Sequence, residues 1–154
     1  MKIKMTLAVL ALCVMGSIAA YASDPNVGTW KLNEAKSKVP AGAPKNNTVT
    51  YSMAGDQYKC VVDGVDGKGQ PAHNEWTGKF DGKDYPLVGD ATADTRAVQK
   101  VGERKYKLTN KKDGKVTTSG TIELSADGKT RTLNIEATGP DGKKISAVQV
   151  YDKQ

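Results

Sequence analysis

Cysteine, histidine and phenylalanine are scarce in this chain of 154 residues, which holds two cysteines, one histidine and one phenylalanine. Cys13 lies in an apolar N-terminal segment, so the rest of the chain keeps only Cys60 and cannot form an intrachain disulfide. Cys60 sits in an alternating stretch, which favours a buried thiol over an intermolecular partner. A zinc site is not expected, because His73 has no second histidine and no clustered thiols to join it.

Motifs that carry catalysis are also missing. No serine lies in a Gly-x-Ser-x-Gly setting, and no pair of carboxylates stands out for glycoside hydrolysis. The recurring Asp-Gly-Lys triplets lack the alternating oxygen ligands and the final glutamate of a calcium loop, so they are interpreted as hairpin turns. We therefore predict a protein that is not an enzyme and that uses no metal and no other cofactor.

The excess of positive charge is small. The chain has 23 basic and 17 acidic residues, for a net charge of +6. Without Lys2 and Lys4 of the N-terminal segment, 21 basic residues remain against the same 17 acids, a net charge of +4. Lysines are spread over turns and strands, whereas nucleic-acid binders usually cluster their charge on one face. A solvated surface is expected, with no nucleic-acid partner.

Residues 1–22 are predicted to be a secretory signal peptide. Lys2 and Lys4 supply the positive start, Leu7 to Ile18 supply the apolar run, and Ala20 to Ala22 form a small-x-small cleavage site. A membrane anchor is the alternative, but the run is shorter than the ~20 residues that a span requires. We expect export to the periplasm or secretion, and a single domain over 23–154 with no membrane span.

Residues 27–44 predict one strand, one helical turn and a loop. Val27 to Leu32 alternate, which places Trp30 and Leu32 on the same face of a first strand. Asn33 is a good N-cap for a short helical turn over 34–38. The proline and glycine residues of 40–44 then predict a loop.

From Asn47 almost to the end, apolar and polar residues alternate with period two, as in Val49, Tyr51 and Met53. Thr, Val and Tyr are abundant, as is typical of half-exposed strands. The pattern predicts about eight to ten antiparallel strands joined by Asp-Gly turns. Strands in sequence order hide one apolar face by closing into an up-and-down barrel, or by splitting into a sandwich. The short turns favour the barrel. The Asp-Gly-Lys triplets begin at Asp66, Asp81, Asp113, Asp127 and Asp141.

With its opening Gly28-Thr29-Trp30, the helical turn after it and the meander that follows, the chain resembles the lipocalin and calycin group. The resemblance implies a lipocalin-like barrel and a structural plug, in which Trp30 closes one end against Arg131. The chain departs from the group in lacking its disulfide and its Thr-Asp-Tyr motif. Residues 75–89 also resemble exported bacterial proteins that open with Trp-x-Leu-Asn.

Aromatic residues fall largely on the apolar faces of the predicted strands. In a small barrel such a face either fills the interior or lines a cavity for one ligand. Small inward residues such as Gly78 and Gly120 would leave room, but natural cores pack closely, so both alternatives stay open. We hypothesise a monomeric barrel that binds or carries a small hydrophobic molecule. The alternative is a solid barrel with a structural, interaction or envelope-stress role. The candidate ligand-binding residues are Tyr51, Tyr58, Trp76, Phe80, Tyr85 and Tyr106.

Overall fold

The computed structural model describes residues 24–139 and 141–154, and the predicted signal peptide lies outside them. The described residues form ten strands and one short 3₁₀ helix, Glu34–Lys36. The strands are β1 Gly28–Leu32, β2 Lys45–Ala54, β3 Gln57–Val65, β4 Pro71–Gly78, β5 Asp81–Val88, β6 Thr95–Gly102, β7 Lys105–Lys112, β8 Lys115–Leu124, β9 Thr130–Thr138 and β10 Lys144–Lys153.

The ten strands form a closed barrel. Each strand pairs antiparallel with its neighbours in sequence, and β1 also pairs with β10, so the sheet closes on itself. Trp30 lies opposite Val49 of β2 and opposite Lys153 of β10. Closure leaves no free sheet edge in the ring. The predicted up-and-down barrel with a short helical turn after its first strand is therefore confirmed, and the sandwich alternative is wrong.

Alternation along each strand decides which side chains enter the interior. In β7, Tyr106, Leu108 and Asn110 are buried, whereas Lys105 and Lys107 between them are exposed. This follows from the pleat of a strand, which directs successive side chains to opposite faces. The free thiol of Cys60 is buried in the same interior, as its position in an alternating stretch predicts.

Most of the Asp-Gly-Lys triplets lie in turns between strands, as the sequence predicts. Asp113 and Gly114 both have positive φ, 49° and 75°, which is the backbone that a two-residue hairpin turn requires. The prediction is wrong at Asp81, where the chain is already in β5 rather than in a turn. Gly82 there has φ 79°, and the β5–β6 register shifts between Asp81 and Asp84. An aspartate and a glycine can build a β-bulge as well as a turn.

Two features distinguish one end of the barrel, which we call the plugged end. The lead segment Asp24–Val27 lies there, and Asn26 within it is completely buried. Beside it, the seam between β4 and β5 is short, because only Glu75–Val88 and Trp76–Leu87 are paired.

Within the described residues, no helix is long and apolar enough to cross a bilayer.

Candidate functional site

Phe80 is the centre of an aromatic cluster at the plugged end. Its ring stacks on Tyr58 with centroids 4.0 Å apart and meets Tyr106 edge-on at 5.2 Å. Tyr51 and Trp76 also lie against Phe80, at 5.9 Å and 6.3 Å. The sixth predicted residue, Tyr85, packs edge-on against Trp76 at 6.0 Å. The fold thus brings all the predicted ligand-binding aromatics into one connected group, the aromatic cluster.

Members of the aromatic cluster differ in burial. Tyr51, Trp76 and Tyr106 are buried to 2% exposure or less. Phe80 and Tyr85 are only partly buried, as is Tyr58 beside Phe80. The partly buried rings therefore form the outer layer of the aromatic cluster. A role of these six side chains in ligand binding stays a prediction.

Trp30 and Arg131, the predicted plug, meet through Asn26. Trp30 is fully buried, and its Nε1 donates a hydrogen bond to the Asn26 carbonyl oxygen at 2.9 Å. Arg131 Nε donates to Asn26 Oδ1 at 3.2 Å. The cation nearest the Trp30 ring is Lys153, whose Nζ lies 5.0 Å from the ring centroid. Asn26 was not predicted from the sequence, because nothing in a short lead segment reveals a contact more than a hundred residues away.

Arg131 lies between two tyrosine rings. Its guanidinium carbon is 5.8 Å from the centroid of Tyr51 and 5.2 Å from that of Tyr151. The Tyr151 hydroxyl donates to Gln149 Oε1 at 2.7 Å, which places a second buried polar side chain on the same wall. The electron-rich ring faces partly compensate the buried positive charge.

A second arginine, Arg96, also enters the barrel. Arg131 was predicted from the sequence as part of the plug, whereas Arg96, which is 6% exposed, was missed. Its Nε donates to Asn110 Oδ1 at 2.9 Å, and its carbonyl oxygen accepts from Trp76 Nε1 at 2.8 Å. The signal was present, since Arg96 lies two residues before the buried Val98 and so shares its face.

Neither interior arginine has an acidic partner. Within the described residues, Arg96 and Arg131 form no ion pair with a carboxylate. In addition, Arg131 Nη1 and Asn26 Nδ2 are buried and have no hydrogen-bond partner in that part of the chain. Both orphaned atoms are donors, and a buried unpaired donor is costly. This corner of the barrel therefore lacks an acceptor.

The thiol of Cys60 and the hydroxyls of Tyr51 and Tyr151 stay neutral near pH 7. Burial raises the pKa of the Cys60 thiol, and the nearby Arg96 only partly opposes this effect. Burial likewise raises the pKa of Tyr51, and it raises the pKa of Tyr151 to about 12. The guanidinium groups of Arg96 and Arg131 therefore gain no negative partner from these three side chains.

Asp24, in the lead segment, binds two side chains at the plugged end of the barrel. Its Oδ1 accepts from the Tyr106 hydroxyl at 2.5 Å, and its Oδ2 accepts from Lys100 Nζ at 2.6 Å. Burial, followed by the bond to Asp24, raises the pKa of Tyr106. The lead segment is thereby tied to β6 and β7 on the far side of the ring.

No protein-family model matches the chain, and no curated protein matches it. Among solved structures, the chain is similar to the crystal structure of zebrafish ileal bile acid-binding protein complexed with cholic acid. The two are 15% identical with a TM-score of 0.49, over 84% of this chain and 99% of that one. The closed barrel of this chain is established by its own strand pairing.

His73 lies outside the barrel, in β4. Its Nδ1 is 2.7 Å from Asp63 Oδ1, and its Nε2 is 3.4 Å from Glu75 Oε1. Lys59 also pairs with Glu75, at 2.8 Å. Across residues 24–139 and 141–154, no group of three or more His, Cys, Asp or Glu side chains could hold a metal ion.

The two carboxylates are expected to raise the pKa of His73 above its usual value, chiefly through the hydrogen bond to Asp63. The contacts of His73 with the two carboxylates stabilise the folded state. This effect is complete below the pKa of the unfolded chain, where the imidazole is protonated in both states. It is lost as the pH rises through the raised pKa of the folded state. A pH titration of the His73 ring signals by NMR measures this pKa. Asp63→Asn should lower it, and an unchanged value would show that Asp63 has no such effect.

Proposed function

We propose that the barrel binds a small amphipathic molecule. Its apolar body would lie against the aromatic cluster, and its anionic end would accept hydrogen bonds from Arg131 and Asn26. The observation that carries this proposal is the pair of orphaned donors, Arg131 Nη1 and Asn26 Nδ2. They are adjacent, because the two side chains are already joined by the bond from Arg131 Nε to Asn26 Oδ1.

Charge supports an anion rather than a neutral acceptor. Two guanidinium groups, Arg96 and Arg131, are buried at 6% and 2% exposure. A buried charge is costly unless it is paired and hydrogen-bonded. Asp24 neutralises Lys100 instead. A carboxylate or a similar group would supply both the missing charge and the missing acceptor.

A ligand would enter the barrel interior through the seam between β4 and β5. Only two residue pairs join the strands there, and Phe80, just before β5, has a partly buried ring. Displacing Phe80 would uncover the rings of Tyr58 and Tyr106, which it covers now. Binding would therefore select a conformation in which Phe80 has moved outward.

The test compares dodecanoate with dodecanol, which share an apolar chain and differ in their charged end. We expect the protein to bind dodecanoate more tightly than dodecanol, as measured by calorimetry or by tryptophan fluorescence. Arg131→Gln removes the charge and retains a side chain that reaches toward Asn26. Since hydrogen bonds to charged groups are worth ~1.5–3 kcal/mol, dodecanoate binding should weaken about 10- to 100-fold.

The matched control is Arg104→Gln, which removes an arginine whose side chain is 42% exposed and lies in a turn. It should leave the affinity for dodecanoate unchanged. Circular dichroism confirms that both variants are folded. Equal binding of the acid and the alcohol, or equal loss in both variants, would contradict an anion site at Arg131.

A second function, that of a solid barrel acting through its surface, is favoured by the contacts between the rings. The six aromatics pack on one another, and none of them lines the cleft of about 660 Å³ on the barrel wall. On this alternative neither dodecanoate nor dodecanol binds to the folded protein.

A further inference from the structure

A cleft in the described part of the chain lies on the outside of the barrel wall. It has a volume of about 660 Å³ and crosses strands β7 to β10. Three consecutive residues of each strand line it, as in 107–109 and 119–121. The neighbouring inward residues, such as Tyr106, Ile122 and Leu133, do not line it. An interior cavity would touch those side chains, so the cleft is an exterior groove whose floor is the backbone of the wall.

Two cross-strand rows of side chains form the sides of this groove. The strand registers and one isolated bridge align the first row as Lys38, Val148, Asn134, Thr121 and Lys107. The second row is Ser146, Glu136, Ser119 and Thr109. The first row has a lysine at each end. With strands ~4.8 Å apart, these two lysines are separated by about 19 Å along the groove.

The polar side chains of both rows have no hydrogen-bond or ion-pair partner in the described part of the chain. Within residues 24–139 and 141–154, no hydrogen bond or ion pair of the protein involves the side chains of Lys38, Lys107, Thr109, Ser119, Thr121, Asn134, Glu136 or Ser146. By contrast, Lys105 in the adjacent row pairs with Glu123 at 2.6 Å. The groove therefore presents a contiguous set of free donors and acceptors in a volume that is typical of ligand sites.

We propose that this groove binds an extended, polyhydroxylated molecule that carries carboxylates, namely an acidic oligosaccharide. Serine and threonine hydroxyls both donate and accept, and Asn134 does the same through its amide, as sugar hydroxyls require. Glu136 accepts from a sugar hydroxyl. The terminal lysines bind carboxylates at widely spaced positions. This site is separate from the interior one.

Charge distinguishes this occupant from other chain molecules. A nucleic acid has a phosphate on every residue and would place one against Glu136, whose charge is central in the second row. A lipid chain requires a continuous apolar surface, whereas Val148 is the one large apolar side chain among the two rows. A chain with many hydroxyls and a few carboxylates satisfies both rows.

The probes are hexagalacturonate, which carries carboxylates, and maltohexaose, which is neutral. Binding to the full folded chain is measured by calorimetry and mapped by ¹H–¹⁵N NMR shifts. We expect hexagalacturonate to bind at least 10-fold more tightly, with shifts confined to 38, 107–109, 119–121, 134–136 and 146–148. The double variant Lys38→Gln, Lys107→Gln should abolish that preference. Thr121→Val should weaken both sugars about threefold or more.

Two controls keep the result specific. Lys105→Gln removes a lysine of the adjacent row and should change neither affinity. Arg131→Gln alters the interior and should leave sugar binding intact, so failure of the amphipathic-ligand proposal would be distinguishable. The inference is overturned if neither sugar binds, if Lys105→Gln weakens hexagalacturonate as much as the double variant does, or if the shifts map elsewhere.

Discussion

Replacing Trp30 with alanine is expected to lower the free energy of unfolding by about 3–5 kcal/mol. Trp30 is fully buried between β2 and β10, so the change leaves a cavity where the barrel closes. It also removes the Nε1 donor of the Asn26 carbonyl, and hence loosens the lead segment. The midpoint and slope of urea unfolding, followed by circular dichroism, measure the loss.

Two further variants separate packing from hydrogen bonding at this position. Trp30→Phe keeps most of the ring volume and loses the hydrogen bond, so its cost should be well below that of alanine. Val88→Ala changes a side chain that is 68% exposed and should stay within about 0.5 kcal/mol of the wild type. If Trp30→Ala unfolded at the same urea concentration as Val88→Ala, Trp30 would have no part in closing the barrel.

The next largest effect is expected for Gly64→Ala, with a loss of about 3 kcal/mol from overpacking. A Cβ at Gly64 would lie 2.0 Å from the carbonyl oxygen of Lys45 and 2.9 Å from Cα of Asn46. Both are backbone atoms of the paired strand, next to the register shift between Asn46 and Thr48. Neither can rotate away, so the β2–β3 ladder has to move. Thermal unfolding by calorimetry measures the loss.

Gly55→Ala is the matched control. Gly55 has φ 66° in the β2–β3 turn, and a Cβ there meets no atom within 4 Å. Its cost is therefore the backbone term alone, about 1–2 kcal/mol for a left-handed residue. A loss in Gly64→Ala no larger than that in Gly55→Ala would show that the close approach of the strands does not require glycine at 64.

The strands could be predicted from the sequence because alternation is a local property. Val49 and Tyr51 point inward for the same reason that Thr50 between them does not, and no distant contact is required to see it. The closure of the ring was favoured by the short turns. The closure is established by the pairing of β1 with β10, which joins residues more than a hundred positions apart.

The candidate site was predictable only in part. The aromatics were identified by their faces, but their mutual packing around Phe80 depends on how the chain turns after β4. Asn26 and Asp24 gave no signal, since a polar residue in a short lead normally faces solvent. The exterior groove could not be seen either, because its rows run across strands, and register is not a property of any single strand.

The pairing of β1 with β10 has a consequence for how the chain reaches its native state. All other neighbouring strands are consecutive in sequence, so their hairpins form by closing short loops. Joining the first strand to the last requires almost the whole chain to come together, which carries the largest loss of chain entropy. We expect this seam to form late, because it joins the most distant strands of the ring. A chain that lacks β1 or β10 would lose that seam and present two unpaired strands to other molecules.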